Sequence, residues 1–140
     1  MTTIEALKQK YSDYLAEVEE LERKASPTDG LMGFGTSPKN HPCHEAFYQE
    51  VAAWVEEFLS ENPSPQEISR AAFWILQAAH PHEDHTTVFW ILYAVHGHAA
   101  PLIPRMPPED RRELAAWYDK NHPRFSRLPV QKKIAKQLHA

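Results

Sequence analysis

The chain has 140 residues, 42% of them hydrophobic and 24% charged, and this composition excludes a disordered or fibrous protein. At this length we expect a single domain, residues 1–140, that buries most of its apolar surface unaided. One cysteine excludes an intramolecular disulfide, the longest apolar run (Val88 to Val95) is too short to cross a bilayer, and the start MTTIEALKQK lacks an apolar signal region. We therefore expect a soluble, cytoplasmic protein.

The formal net charge of −4 is unevenly distributed. Residues 1–104 hold 6 Lys or Arg against 15 Asp or Glu, whereas residues 105–140 hold 9 against 4. This asymmetry favours an intramolecular contact between a basic C-terminal segment and an acidic body. The alternative, a basic surface for nucleic acid, is disfavoured by the sequence pI of about 6.1.

Twelve prolines and four glycines separate six stretches in which apolar residues recur every three or four positions, which is an all-α pattern. Short connections make consecutive helices antiparallel. We predict a single-domain antiparallel bundle of about six helices with a Gly/Pro-rich loop between the first two.

Residues 1–25 are predicted to contain an N-terminal amphipathic helix from about 2 to 25, beginning at a capping box formed by Thr2 and Glu5. Its apolar positions alternate three and four apart: Ile4, Leu7, Tyr11, Tyr14, Val18, Leu21 and Ala25. Such a seam packs either on its own bundle, which the two tyrosines favour, or on a second copy of the chain.

Residues 26–41 form the predicted loop, SPTDGLMGFGTSPKNH. Its apolar side chains, Leu31, Met32 and Phe34, require cover. They either close one end of the bundle or form an exposed patch that binds a protein partner.

Residues 42–140 form the predicted helical core, with helices at about 42–61, 65–79, 81–96, 108–120 and 129–139. Ser64 has the position of an N-cap, and Gly97 has that of a helix-ending residue in the left-handed conformation. The prolines from Pro101 to Pro108 predict an extended connector.

In an antiparallel bundle, the starts of the second and fourth helices meet the end of the third. That end collects two groups of metal-binding side chains: His41, Cys43 and His44 from HPCH, and His80, His82, Asp84 and His85 from HPHEDH. HPHEDH matches the HxHxDH pattern of metallo-β-lactamase-like hydrolases, a family that we exclude because its layered β/α fold is incompatible with a helical chain.

Imidazole, thiolate and carboxylate together satisfy tetrahedral zinc, so one hypothesis is a site for zinc or another divalent metal. The alternative for His44, which shares a helix face with Phe47, Tyr48 and Val51, is a buried, hydrogen-bonded histidine. A further hypothesis makes Cys43 a nucleophile, since the first turn of a helix lowers a thiol pKa and His41 and His44 are nearby bases. Otherwise Cys43 is a small apolar residue.

No motif specifies a reaction. We expect a non-catalytic helical interaction domain for an unidentified protein partner or a second copy of the chain, with neither membrane nor nucleic acid as partner. The alternative is a small metal-binding protein or metal-dependent enzyme using residues 41–44 and 80–85.

Overall fold

The structure, a computed structural model, describes residues 2–24, 41–78, 91, 94–121 and 128–140. Every regular element in these ranges is helical, which confirms the all-α class. The elements are α1 (Ile4–Lys24), α2 (Cys43–Ser60), α3 (Pro65–Ala78), α4 (Pro108–Asn121) and α5 (Pro129–Leu138), with 3-10 helices at His96–Ala99 and Ile103–Arg105. None of the helices in the described part combines the length and the apolar character needed to cross a membrane. The loop predicted at 26–41 lies outside the described residues except for His41.

α1 begins two residues later than predicted, at Ile4, and its cap is Thr3 and not Thr2. The hydroxyl of Thr3 accepts a hydrogen bond from the backbone N–H of Ala6 at 3.1 Å. The backbone N–H of Thr2 donates instead to both carboxylate oxygens of Glu61, at 2.9 and 3.1 Å. The residue before α1 is thereby attached to the end of α2.

The apolar seam of α1 packs on its own chain. Its members in the described part are buried, except for the partly buried Leu21: Ile4, Leu7, Tyr11, Tyr14 and Val18. The indole N–H of Trp54 donates to the Thr3 carbonyl at 3.0 Å, and the Tyr14 hydroxyl lies 2.6 Å from Nδ1 of His44. The two helices therefore run in opposite directions, and the described residues of the seam pack on their own chain, which is the arrangement that the two tyrosines favour.

The turn between α2 and α3 is short and capped on both sides. Asn62 has φ 54°, a left-handed conformation that asparagine tolerates better than most residues. The Ser64 hydroxyl accepts the backbone N–H of Glu67 at 3.2 Å, which confirms Ser64 as the N-cap of α3.

The segment before α4 differs from its prediction. Gly97 lies inside a 3-10 helix and is not in the left-handed conformation, and residues 100–106 form turns and a second 3-10 helix where an extended connector was predicted. Leu102 and Ile103 are completely buried, so the segment contracts to bring them into the core, and proline at the start of a 3-10 turn does not oppose this. The segment contacts α2, α3 and α5.

α3, α4 and α5 are joined by polar links at the edge of the core. The Ser69 hydroxyl donates to Asp110 Oδ2 at 2.7 Å, and His139 Nε2 lies 2.6 Å from Asp119 Oδ2. Among the described residues, no ion pair joins a lysine or arginine of 105–140 to an acid of 1–104. The C-terminal helices thus contact the rest of the chain, but without ion pairs of the predicted kind in these ranges.

Candidate metal centre

Three side chains of different chemistry meet where α1 passes the start of α2. One potential ligand atom from each of Glu17, His41 and Cys43 lies within 4.8 Å of the other two. Glu17 is exposed, His41 is half-buried and Cys43 is buried at 7% exposure. Carboxylate oxygen, imidazole nitrogen and thiol sulfur thus converge closely enough for small side-chain rotations to bring them onto one ion.

The opposite directions of α1 and α2 create this cluster. Tyr14 faces the core, and Glu17, three residues further along α1, lies beside the first turn of α2. The cluster lines a surface pocket of about 370 Å³ whose walls come from residues 10–17 and 41–50. An ion would therefore reach the three donors directly from solvent.

His41 already has a structural role at this position. Its Nδ1 accepts a hydrogen bond from the backbone N–H of Cys43 at 3.1 Å, satisfying an N–H group that the first turn of α2 leaves unpaired. A ring that accepts at Nδ1 carries its proton on Nε2. A metal ion must either replace the N–H at Nδ1 or bind Nε2 after the proton has moved, so ion binding and this hydrogen bond exclude each other.

The thiol of Cys43 does not have the lowered pKa expected at a helix start. Burial raises its pKa, the Glu17 carboxylate raises it further, and a backbone hydrogen bond lowers it only in part. The thiol is therefore protonated at neutral pH, and the nucleophile hypothesis loses the pKa shift on which it depended. A cation between Cys43 and Glu17 would stabilise the thiolate that Glu17 otherwise disfavours.

His44 lies in the core beside the cluster. It is 2% exposed, and its Nδ1 lies 2.6 Å from the Tyr14 hydroxyl and 3.9 Å from Cys43 Sγ. The Tyr14 ring stacks on Phe47 with centroids 4.0 Å apart. The buried, hydrogen-bonded histidine that the sequence offered as an alternative is confirmed.

The remaining predicted site residues lie outside the described part of the chain. They are His80, His82, Asp84 and His85 of the second histidine group and Leu31, Met32 and Phe34 of the loop. Their approach to the cluster, or to a partner, stays a prediction.

Glu17 is the cluster member that the sequence prediction missed. The antiparallel rule that brought the two histidine groups together also places the second half of α1 beside the start of α2. That rule, applied to the first helix, identifies the region, but it does not distinguish Glu17 from the other exposed acids of α1.

Compared with known protein families, with curated proteins and with solved structures, the chain matches none of them. The chemistry of the cluster therefore has to be derived from its donors. A sulfur, a nitrogen and an oxygen donor suit zinc and the later first-row transition metals, whereas calcium and magnesium prefer oxygen alone.

Proposed function

We propose that this chain is a helical metal-binding protein whose ion, zinc or a chemically similar divalent metal, is held by Glu17, His41 and Cys43. The convergence of their three donor atoms within 4.8 Å carries the proposal. Three protein ligands leave one tetrahedral position, to be filled by water or by a side chain of HPHEDH.

The sign of the Cys43 pKa shift also fits an ion at this place. A carboxylate next to a buried thiol is unfavourable once the thiol ionises, and a divalent cation between them converts that repulsion into two attractions. Because the thiol is protonated without metal, binding releases a proton. We assign the site an ion-holding role, since the raised pKa of the Cys43 thiol does not favour a nucleophile at neutral pH.

An obligate protein partner has less support on the described surface. A permanent interface of more than about 1,000 Å² exposes several large apolar side chains when its partner is absent. Among the described residues, only one large apolar side chain is well exposed, that of Leu128 at 42%.

Cobalt titration of metal-free protein tests the proposal. We expect one equivalent of Co²⁺ to bind, with an intense near-ultraviolet sulfur-to-cobalt band that Zn²⁺ then removes by displacement. C43S should abolish the band, and H41A and E17Q should each weaken binding at least about tenfold, as expected for the loss of a ligand.

The matched control is D13N, which removes another exposed carboxylate from the same pocket but outside the cluster. It should bind cobalt as the wild type does. Absence of the sulfur-to-cobalt band from the wild type, or a C43S variant that keeps it, would overturn the assignment. Titration of H82A/H85A then shows whether HPHEDH fills the fourth position.

A further inference from the structure

An exposed leucine lies at the start of α5, and three lysines follow it along the helix. Leu128 has an extended backbone directly before Pro129, and its carbonyl accepts the N–H of Lys132, one helical turn further on, at 2.9 Å. Helix α5 contains three lysines and no acid, and all three are exposed without an ion pair among the described residues: Lys132, Lys133 and Lys136. This face therefore presents one exposed apolar side chain, that of Leu128, which we call the knob, beside three positive charges.

A complementary groove lies between α2 and the 96–101 segment. It has a volume of about 280 Å³, and its lining is largely apolar: Ala52, Val55, Leu59, Gly97, His98 and Pro101. Glu56 stands at its edge with its side chain exposed. The groove is therefore apolar with one negative charge, that of Glu56, and helix α2 contains neither lysine nor arginine to neutralise it.

The start of α5, which carries Leu128, is a neighbour of the groove. Val130 Cγ1 is 3.5 Å from the position that a Cβ on Gly97 would occupy, so the start of α5 borders the groove. A surface that carries both a feature and its complement can pair with itself across a two-fold axis, which is the commonest symmetry of protein dimers.

We propose that two copies of this chain form a reversible symmetric dimer through this face. Leu128 of each copy enters the groove of the other, and Lys132 of each faces Glu56 of the other. The proposal is independent of the metal site, because no residue is shared between them.

Charge complementarity favours a second copy of the chain, and not a polyanion such as a nucleic acid, as the partner of this face. Phosphates attracted by the lysines would meet the Glu56 carboxylate at the groove, and the whole chain is negative at −4. One leucine per copy and exposed ion pairs provide modest binding, so the dimer should form in the upper micromolar to millimolar range and weaken as salt is added.

Sedimentation equilibrium from low micromolar to about 1 mM protein measures this association. The weight-average mass of the wild type should rise towards twice the monomer mass of 16.1 kDa at low salt and fall again at high salt. Leu128→Asp should raise the dissociation constant at least about tenfold, because it places a charge in an apolar groove. Ala116→Asp, the control, adds the same charge to an exposed position of α4 and should leave association unchanged.

Exchanging the charges of Lys132 and Glu56 distinguishes a specific ion pair at this interface from a general effect of net charge on association. Lys132→Glu and Glu56→Lys should each weaken the dimer at least about threefold, since each change acts twice in a symmetric interface, and the double variant should recover the wild-type constant. Circular dichroism confirms the fold of each variant. A wild type that stays monomeric at 1 mM and low salt, a Leu128→Asp variant that still dimerises, or a double variant without recovery would overturn the proposal.

Discussion

The hydroxyl of Tyr14 lies 2.6 Å from Nδ1 of His44 and joins α1 to α2 inside the core. Tyr11, one turn earlier on the same helix face, has no hydrogen-bond partner for its buried hydroxyl in the described part of the chain. Both rings pack against Phe47, Tyr11 edge-on at 4.9 Å and Tyr14 stacked at 4.0 Å. The two tyrosine rings thus pack in similar surroundings, but only the Tyr14 hydroxyl has a hydrogen-bond partner among the described residues.

Removing the two hydroxyls should have opposite effects on stability. Tyr14→Phe should lower the free energy of unfolding by about 1–3 kcal/mol, because it breaks a buried hydrogen bond. Tyr11→Phe should leave it unchanged or raise it by about 1 kcal/mol, because it removes a desolvated hydroxyl that bonds to nothing. Urea unfolding followed by circular dichroism measures both, and equal losses in the two variants would contradict this account.

The affinity of the metal centre should rise with pH. Burial and Glu17 raise the pKa of the Cys43 thiol, so the ion displaces a proton throughout the neutral range. The logarithm of the apparent affinity should therefore increase by about one unit per pH unit between pH 7 and 8.5. Zinc competition with a chromophoric chelator gives this slope. C43S should be nearly independent of pH, and a flat wild-type profile would show that the thiol is not a ligand.

His98 should make the protein more sensitive to acid. Burial lowers its pKa, and a hydrogen bond with the backbone of Tyr48 opposes this only in part. Because the folded state holds the neutral ring, the contribution of His98 to stability is present above the unfolded pKa of about 6.5 and is lost as pH falls through the lower folded value. The melting temperature of the wild type should thus fall more between pH 7.5 and 5 than that of His98→Asn. Parallel curves for the two proteins would exclude this role.

Removing the Ser64 cap of α3 should lower the free energy of unfolding measurably, although Ser64 is exposed. Ser64→Ala removes the acceptor for the Glu67 N–H and should cost about 1 kcal/mol of unfolding free energy, whereas Ser64→Asp should retain most of it. Ser12→Ala is the control, since Ser12 is exposed inside α1 and its replacement by a better helix former should not destabilise. Thermal unfolding compares the three variants, and an equal loss in Ser12→Ala would rule out capping as the cause.

Helix positions could be predicted well because each apolar stripe repeats over several turns. α2, α4 and α5 begin and end within about a residue of their predicted limits. Cap choice was less predictable: the capping-box pattern indicates Thr2, whereas the backbone N–H of Thr2 is held by Glu61, which is distant in the chain, and Thr3 is the cap. The 96–106 segment differs from its prediction because the burial of Leu102 and Ile103 determines its path, and the spacing of its prolines does not indicate that burial.

Two of the three residues of the metal cluster could be predicted from the sequence. The helix-start position of Cys43, with His41 before it, was visible from the sequence, and both residues belong to the cluster. The sign of the Cys43 pKa shift was not, because it depends on burial and on Glu17, neither of which is local to the cysteine. Side chains that act across helices require the packing itself.

The segment from residue 96 to 105 touches α2, α3 and α5 through two short 3-10 turns. A chain cut anywhere between α3 and α4 would expose apolar surface on both fragments, since Leu102 and Ile103 are completely buried in the intact chain. We therefore expect neither fragment to persist alone in a cell, and a split version of this protein would regain its structure only when the two pieces are produced together.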